Sequence, residues 1–131
     1  MLQLIKSSAP ATQRTFKTAW FAKAARKRRI ADQVLCKAID EVRAGKGVNL
    51  GGGVWKKRLN DNRDRSIILA QDGARWFFVY LFMKKDRENI SLSEERQFKA
   101  LAVSYAQLSE DRLLALLELD ELVEICHGDD S

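Results

Sequence analysis

The chain has 131 residues, enough for one ordinary domain, so a multidomain enzyme is excluded. Its formal charge of +5 conceals an uneven distribution: residues 1–99 carry 22 basic and 10 acidic side chains, whereas residues 100–131 carry one basic and eight acidic. A body so basic points to a polyanionic partner, most often nucleic acid, because Lys and Arg contacts to phosphates release counterions; plain solubilising charge is the bland alternative.

A hydrophobic fraction of 46%, one Pro and seven Gly predict a folded domain rather than a disordered one. No apolar run approaches the roughly 18 residues needed to cross a bilayer. The opening residues lack the apolar centre of a signal peptide, which predicts a cytoplasmic protein without membrane association. Cys36 and Cys126, the only cysteines, have no metal-ligand spacing and are expected to be reduced, structural thiols.

Residues 1–15 mix polar and small side chains around Pro10 and read as an arm or a short first strand. Over residues 19–29, Trp20, Phe21, Ala24 and Ala25 recur at helical spacing, with Lys23, Arg26, Lys27, Arg28 and Arg29 over the remainder: a short basic helix. Asp32 is placed as the cap of a second helix whose inward face is Leu35, Ile39 and Val42 and which ends before Gly45 and Gly47. The two helices make a hairpin.

The period then changes. Asn49 to Gly53 reads as a loop, followed by strands over 54–59, 65–71 and 75–82, with Asn60 to Asp64 as the first turn and Asp72-Gly73 as a two-residue hairpin signal. So apolar a meander must be covered by helices. Ser91 and Glu94 predict a capping box before the stripe Phe98, Leu101, Ala102, Tyr105 and Leu108, and Ser109 caps a last acidic, leucine-rich helix over 110–126. The expected class is α+β: an N-terminal helical hairpin packed on a three- to four-stranded antiparallel sheet, followed by two C-terminal helices. Its divisions are an arm or first strand over 1–15, the main domain over 16–108, and an acidic helix and tail over 109–131.

Much familiar chemistry is missing. The single His127 lies in the acidic tail, so serine-hydrolase chemistry has no base. The carboxylates of the basic body do not cluster as Mg²⁺ ligands, and no metal site is expected. Gly51-Gly52-Gly53 precedes a strand with no Lys-Ser or Lys-Thr after it, unlike a phosphate-binding loop. What remains is a set of cations on the sheet. Alternation sends Lys56 and Arg58 to one face and Lys57, with Trp55, to the other; Arg65 opens the next strand, and Lys84, Lys85 and Arg87 close the third. Such a set can bind a phosphate backbone. It can also cleave RNA without a metal, the ribose 2′-OH attacking while fixed cations stabilise the phosphoryl oxygens and a Lys of lowered pKa moves protons. A solvated basic face is the alternative.

Three blocks, Phe16-Lys17-Thr18-Ala19-Trp20-Phe21, Leu50 to Arg58 and, most specifically, Phe77 to Ile90, resemble the RelE/HigB-like toxins of bacterial type II toxin-antitoxin systems, and the likeness runs from Phe16 to about Leu108. The resemblance implies helices against an antiparallel sheet and a metal- and cofactor-free endoribonuclease, an mRNA interferase, that cuts mRNA, commonly on the ribosome. It also implies a cognate antitoxin, here expected to be of helix-turn-helix type. The matching catalytic positions are Arg65, Lys84 and Arg87, the two arginines on the scissile phosphate and Lys84 as proton donor or acceptor. RNA-binding falls to Lys56, Lys57, Arg58 and Lys85, with Lys57 or Arg58 orienting the backbone, and docking on ribosomal RNA to Lys23, Arg26, Lys27, Arg28 and Arg29. One departure stands out: many relatives carry Gly-Lys-Ser-Gly-Gly before the arginine matched by Arg65, where this chain has Asn60-Asp61-Asn62-Arg63-Asp64. Tyr80 and Tyr105 read as core residues rather than catalytic ones. The alternatives are a non-enzymatic toxin of ParE type that binds DNA gyrase, and a catalytically weak RNA-binding module.

Overall fold

A computed structural model describes residues 13–71 and 74–127, so the Asp72-Gly73 hairpin signal and residues 1–12 lie outside the described residues. In chain order the elements are β1 (Arg14–Thr18), α1 (Ala19–Lys27), α2 (Asp32–Arg43), β2 (Val48–Gly51), β3 (Val54–Leu59), β4 (Asp64–Gln71), β5 (Arg75–Met83), α3 (Leu92–Ala106), α4 (Glu110–Glu118) and β6 (Leu122–Ile125). The strands form one sheet in the order β2-β3-β4-β5-β1-β6. Every pairing is antiparallel except β1 with β5, which run parallel.

The expected class is therefore corrected. Instead of a leading helical hairpin on three or four antiparallel strands, a strand comes first and the sheet is mixed and six-stranded. The parallel pair follows from connectivity: α1 and α2 carry the chain from β1 across one face to the edge strand β2, and the antiparallel run β2 to β5 comes back to lie beside β1 in the same direction. Strand alternation then divides the core in two. Phe21, Leu35, Ile39 and Val42 of α1 and α2 pack with Ile68, Trp76 and Phe78 on one face; Ala102 of α3 and Leu113 of α4 pack with Phe16, Ile67, Leu69 and Phe77 on the other. Helices thus cover both faces.

Several local readings also change. Asp32 is the first residue of α2 rather than its cap; Ala31 holds the cap position with no side-chain bond, and Asp32 pairs with Lys17 at 2.7 Å. The segment read as a loop from Asn49 is in large part edge strand β2, which ends at Gly51, and only Gly52 and Gly53 make its turn, all three glycines at positive φ. At Gly53 (φ +83°) a Cβ would stand 3.0 Å from the Ala70 carbonyl oxygen.

The last helix is not continuous to Cys126. It stops at Glu118, Asp120 takes φ +59°, and Leu122–Ile125 becomes β6 against β1. Leu122 and Ile125 are buried on opposite faces, an alternation that a helix does not produce. The cysteines are not free thiols either: Cys36 of α2 and Cys126, just after β6, form a disulfide across a Cα separation of 5.5 Å. The fold brings these two sequence-distant segments together, which spacing along the chain does not reveal.

A candidate RNA-binding cleft

At the end of the sheet where β3 runs out and β4 begins, a recess of about 400 Å³ is lined by Lys46, Lys56, Lys57, Arg58, Arg65 and Glu88. Register builds it. Arg58 stands directly across from Arg65 in the β3–β4 ladder, Lys56 across from Ile67, and Val48 across from Lys56 on the other side. Like charges opposed across strands are destabilising. Arg65 is only 6% exposed, and its guanidinium donates to the carbonyl oxygens of Asn62 (3.0 Å) and Asp64 (3.3 Å), which hold it without neutralising it. Among the described residues, no ion pair includes Lys46, Lys56, Arg58 or Arg65.

Lys57 differs from its neighbours. It points to the α2 face, as alternation requires, and pairs with Glu41 at 2.9 Å; that contact holds the Glu41 carboxyl below its ordinary pKa. Lys46 was not singled out by the sequence. It enters the recess because Gly47 presses against β3, where a Cβ would stand 3.3 Å from the Lys56 carbonyl oxygen. A glycine between a helix end and a strand is the signal that could have found it.

Beside this recess lies a second, of about 650 Å³, lined on its basic side by Arg28, Arg63, Lys84 and Lys85. The β3–β4 turn forms its wall. Asn60, Asp61 and Asn62 take successive left-handed conformations (φ 56°, 56° and 70°), which Asn and Asp tolerate better than most side chains. Asp64, placed in the turn by the sequence, is instead the first residue of β4 and is fully buried. Its carboxylate accepts from Arg28 Nε (3.0 Å) and Asn60 Nδ2 (2.8 Å). The acidic replacement for the glycine-rich stretch of the relatives is thus partly turned inward, where Arg28 neutralises it.

The structure does not bring all the expected site residues together. Lys56, Lys57, Arg58 and Arg65 share the first recess; Lys84 and Lys85 line the second. Arg87 faces a third, of about 340 Å³, with Trp20, Lys27 and Tyr80. Its guanidinium lies 5.3 Å from the Phe82 ring centroid, donates to the Asn89 carbonyl at 3.0 Å and is bonded to Glu94. That bond, with a further one from the Ser91 N–H, lowers the Glu94 carboxyl to about 2. Of the cations on α1 and just after it, Lys23, Arg26, Lys27 and Arg29 are exposed, whereas Arg28 is committed to Asp64. Trp20, expected on the inward stripe, is half exposed and stacks on Tyr80 at 5.1 Å between centroids. Tyr105 packs on Phe77 at 4.6 Å, and burial raises its phenol pKa.

The described residues contain no group of three or more His, Cys, Asp or Glu arranged to hold a metal ion, and no helix long and apolar enough to cross a membrane. No curated protein and no solved structure matches the chain. The family profile described as RelE toxin of the RelE/RelB toxin-antitoxin system matches residues 13–125, a span that takes in every strand and helix from β1 to β6. The chain therefore belongs to the RelE toxin family, and it is the toxin half of a pair whose other half is a cognate antitoxin.

Proposed function

We propose that this toxin acts in the cytoplasm and stops translation by cutting mRNA on the ribosome, without a metal ion or cofactor. The observation that carries this reading is the first recess, where Lys46, Lys56, Arg58 and Arg65 converge and none of them is in an ion pair among the described residues. Cations held at fixed positions before any ligand arrives cost little reorganisation when negative charge develops on a phosphoryl group. Arg65 supplies the main contact to the scissile phosphate, Lys56 and Arg58 hold the flanking backbone with Lys57 and Lys85, and Lys84 protonates the leaving oxygen. Arg87 braces this end of β5 through Glu94 and Phe82. Lys23, Arg26, Lys27 and Arg29 dock the exposed face of α1 on ribosomal RNA. An antitoxin of helix-turn-helix type holds the protein inactive.

Expression of the chain alone is expected to arrest growth with an immediate fall in protein synthesis. Purified protein is expected to cleave mRNA on programmed ribosomes, and Arg65→Ala to lower that cleavage about 10²- to 10³-fold, the range for removing one fixed charge-stabilising donor. Intact mRNA in that assay overturns the nuclease reading. A DNA-damage response preceding the loss of protein synthesis points instead to gyrase.

A further inference from the structure

The two basic recesses share one lining residue, Glu88. It is also the only carboxylate lining the first of them. Three nearby acids are taken up by cations, Glu41 by Lys57, Asp64 by Arg28 and Glu94 by Arg87; Asp61 in the second recess and Asp86 in the third have no ion pair among the described residues, but neither lines the first recess. Glu88 belongs to no ion pair among the described residues and its side chain is exposed. The backbone on both sides of it is fixed. The Asp86 and Arg87 amides donate to the Met83 carbonyl at 3.0 and 3.2 Å, the Arg87 side chain spans to the Asn89 carbonyl, and the Ile90 amide donates to Asn89 Oδ1 at 2.8 Å beside the buried Ile90 side chain.

An unpaired carboxylate carried on held backbone at the wall between two cationic recesses repels a polyanion unless it has work to do. Each recess is large enough for one nucleotide, at about 400 and 650 Å³. A dinucleotide laid across both therefore sets its linking phosphate and the adjacent ribose 2′-OH against Glu88. We propose that Glu88 is the general base of the cleavage reaction, an inference that rests on the nuclease reading above. The Glu88 carboxylate takes the proton of the 2′-OH, the 2′-oxygen forms a bond to phosphorus, and the bond from phosphorus to the 5′-oxygen breaks. The 5′-oxygen takes a proton from the Lys84 ammonium. The products are a 2′,3′-cyclic phosphate and a 5′-hydroxyl, and Glu88 and Lys84 return to their starting states by proton exchange with water.

The charges facing Glu88 come from every element around the cleft. Lys46 lies on the α2–β2 turn, Lys56, Lys57 and Arg58 on β3, and Arg65 on β4. Arg28 follows α1, Asp61 and Arg63 lie on the β3–β4 turn, and Lys84 and Lys85 follow β5.

The test compares wild type, Glu88→Gln and Glu88→Asp in two assays. One measures cleavage of mRNA on programmed ribosomes against pH; the other measures binding of the same mRNA carrying 2′-deoxyribose at the cleaved position. Glu88→Gln is expected to slow cleavage about 10²- to 10³-fold, within the range for a lost general base, while binding the deoxy-substituted mRNA as tightly or more tightly. The acidic limb of the pH-rate profile is expected to disappear, and Glu88→Asp to restore part of the rate. Undiminished cleavage by Glu88→Gln, or binding lost in parallel with cleavage, overturns the assignment while leaving the nuclease reading in place. A wild-type protein that leaves the mRNA intact overturns the nuclease reading, and the role of Glu88 with it.

Discussion

Arg87 and Arg65 are both arginines of the resemblance, yet their surroundings differ. Arg65 is packed among carbonyl oxygens and opposed by Arg58, so its charge remains available. Arg87 is tied to Glu94, whose carboxyl also accepts from the Ser91 amide at 2.7 Å as half of the α3 capping box. The folded chain thus holds Glu94 at about 2, below the ordinary carboxylate value of 4.5. A depressed carboxylate contributes stability that is fully present above about pH 4.5 and is lost as pH falls toward 2. Glu94→Gln is therefore expected to be less stable than wild type at neutral pH, with the difference shrinking to nothing near pH 2. Denaturant midpoints measured across that window check it, and a difference that does not vary with pH removes the ion pair as its cause. Neither side chain announces this pairing in the sequence, because the bond depends on how tightly the turn between β5 and α3 closes.

At the scale of elements, local chemistry was legible wherever it decided the outcome. Ser91 and Glu94 predict the capping box, and the box is present with both of its bonds. Ser91→Ala is expected to cost about 1 kcal/mol of stability, read as a shift in the denaturant midpoint. The strand pattern of β3 correctly separated Lys56 and Arg58 from Lys57. What local pattern did not reveal were the two outer strands. β2 has four residues that include Asn49 and Gly51, both poor strand formers, and it exists because β3 offers it a ladder. β6 has the sequence Leu-Val-Glu-Ile, which continues the apolar richness of α4 and by composition suits either a helix or a strand. Its conformation is chosen by the open edge of β1 and by Arg14, which bonds Glu124 at 2.8 and 2.9 Å. Gly53 belongs to the same class of long-range constraint. Its missing side chain matters only because β4 passes alongside, so Gly53→Ala is expected to be more destabilising than Gly45→Ala, where a Cβ meets nothing within 4 Å although φ is equally positive. Thermal melts of the two variants separate close approach from backbone strain.

Across the whole molecule, the charge split resolves into two ends of one sheet. Among the described residues, the acidic C-terminal segment pairs away from the basic cleft: Glu110 pairs with Arg75 at 2.7 Å, and both Glu110 and Glu124 pair with Arg14. The cleft lies toward β2, β3 and β4, at the other side of the sheet order. The disulfide belongs with the acidic end, joining α2 to the residue after β6 over a sequence separation of 90. A crosslink of that span removes enough freedom from the unfolded chain to contribute about 4 to 5 kcal/mol in the chain-entropy account. In a reducing compartment the pair opens, so the oxidised and reduced forms are expected to differ in stability. Cys36→Ser is expected to melt with the reduced wild-type protein and well below the oxidised one. Because the crosslink is remote from the cations, all three are expected to bind RNA alike at temperatures where they remain folded, and to lose affinity together as salt rises. Identical melting of oxidised and reduced protein means that the sheet holds β6 unaided; RNA binding that follows the redox state means that the two ends of the sheet are coupled.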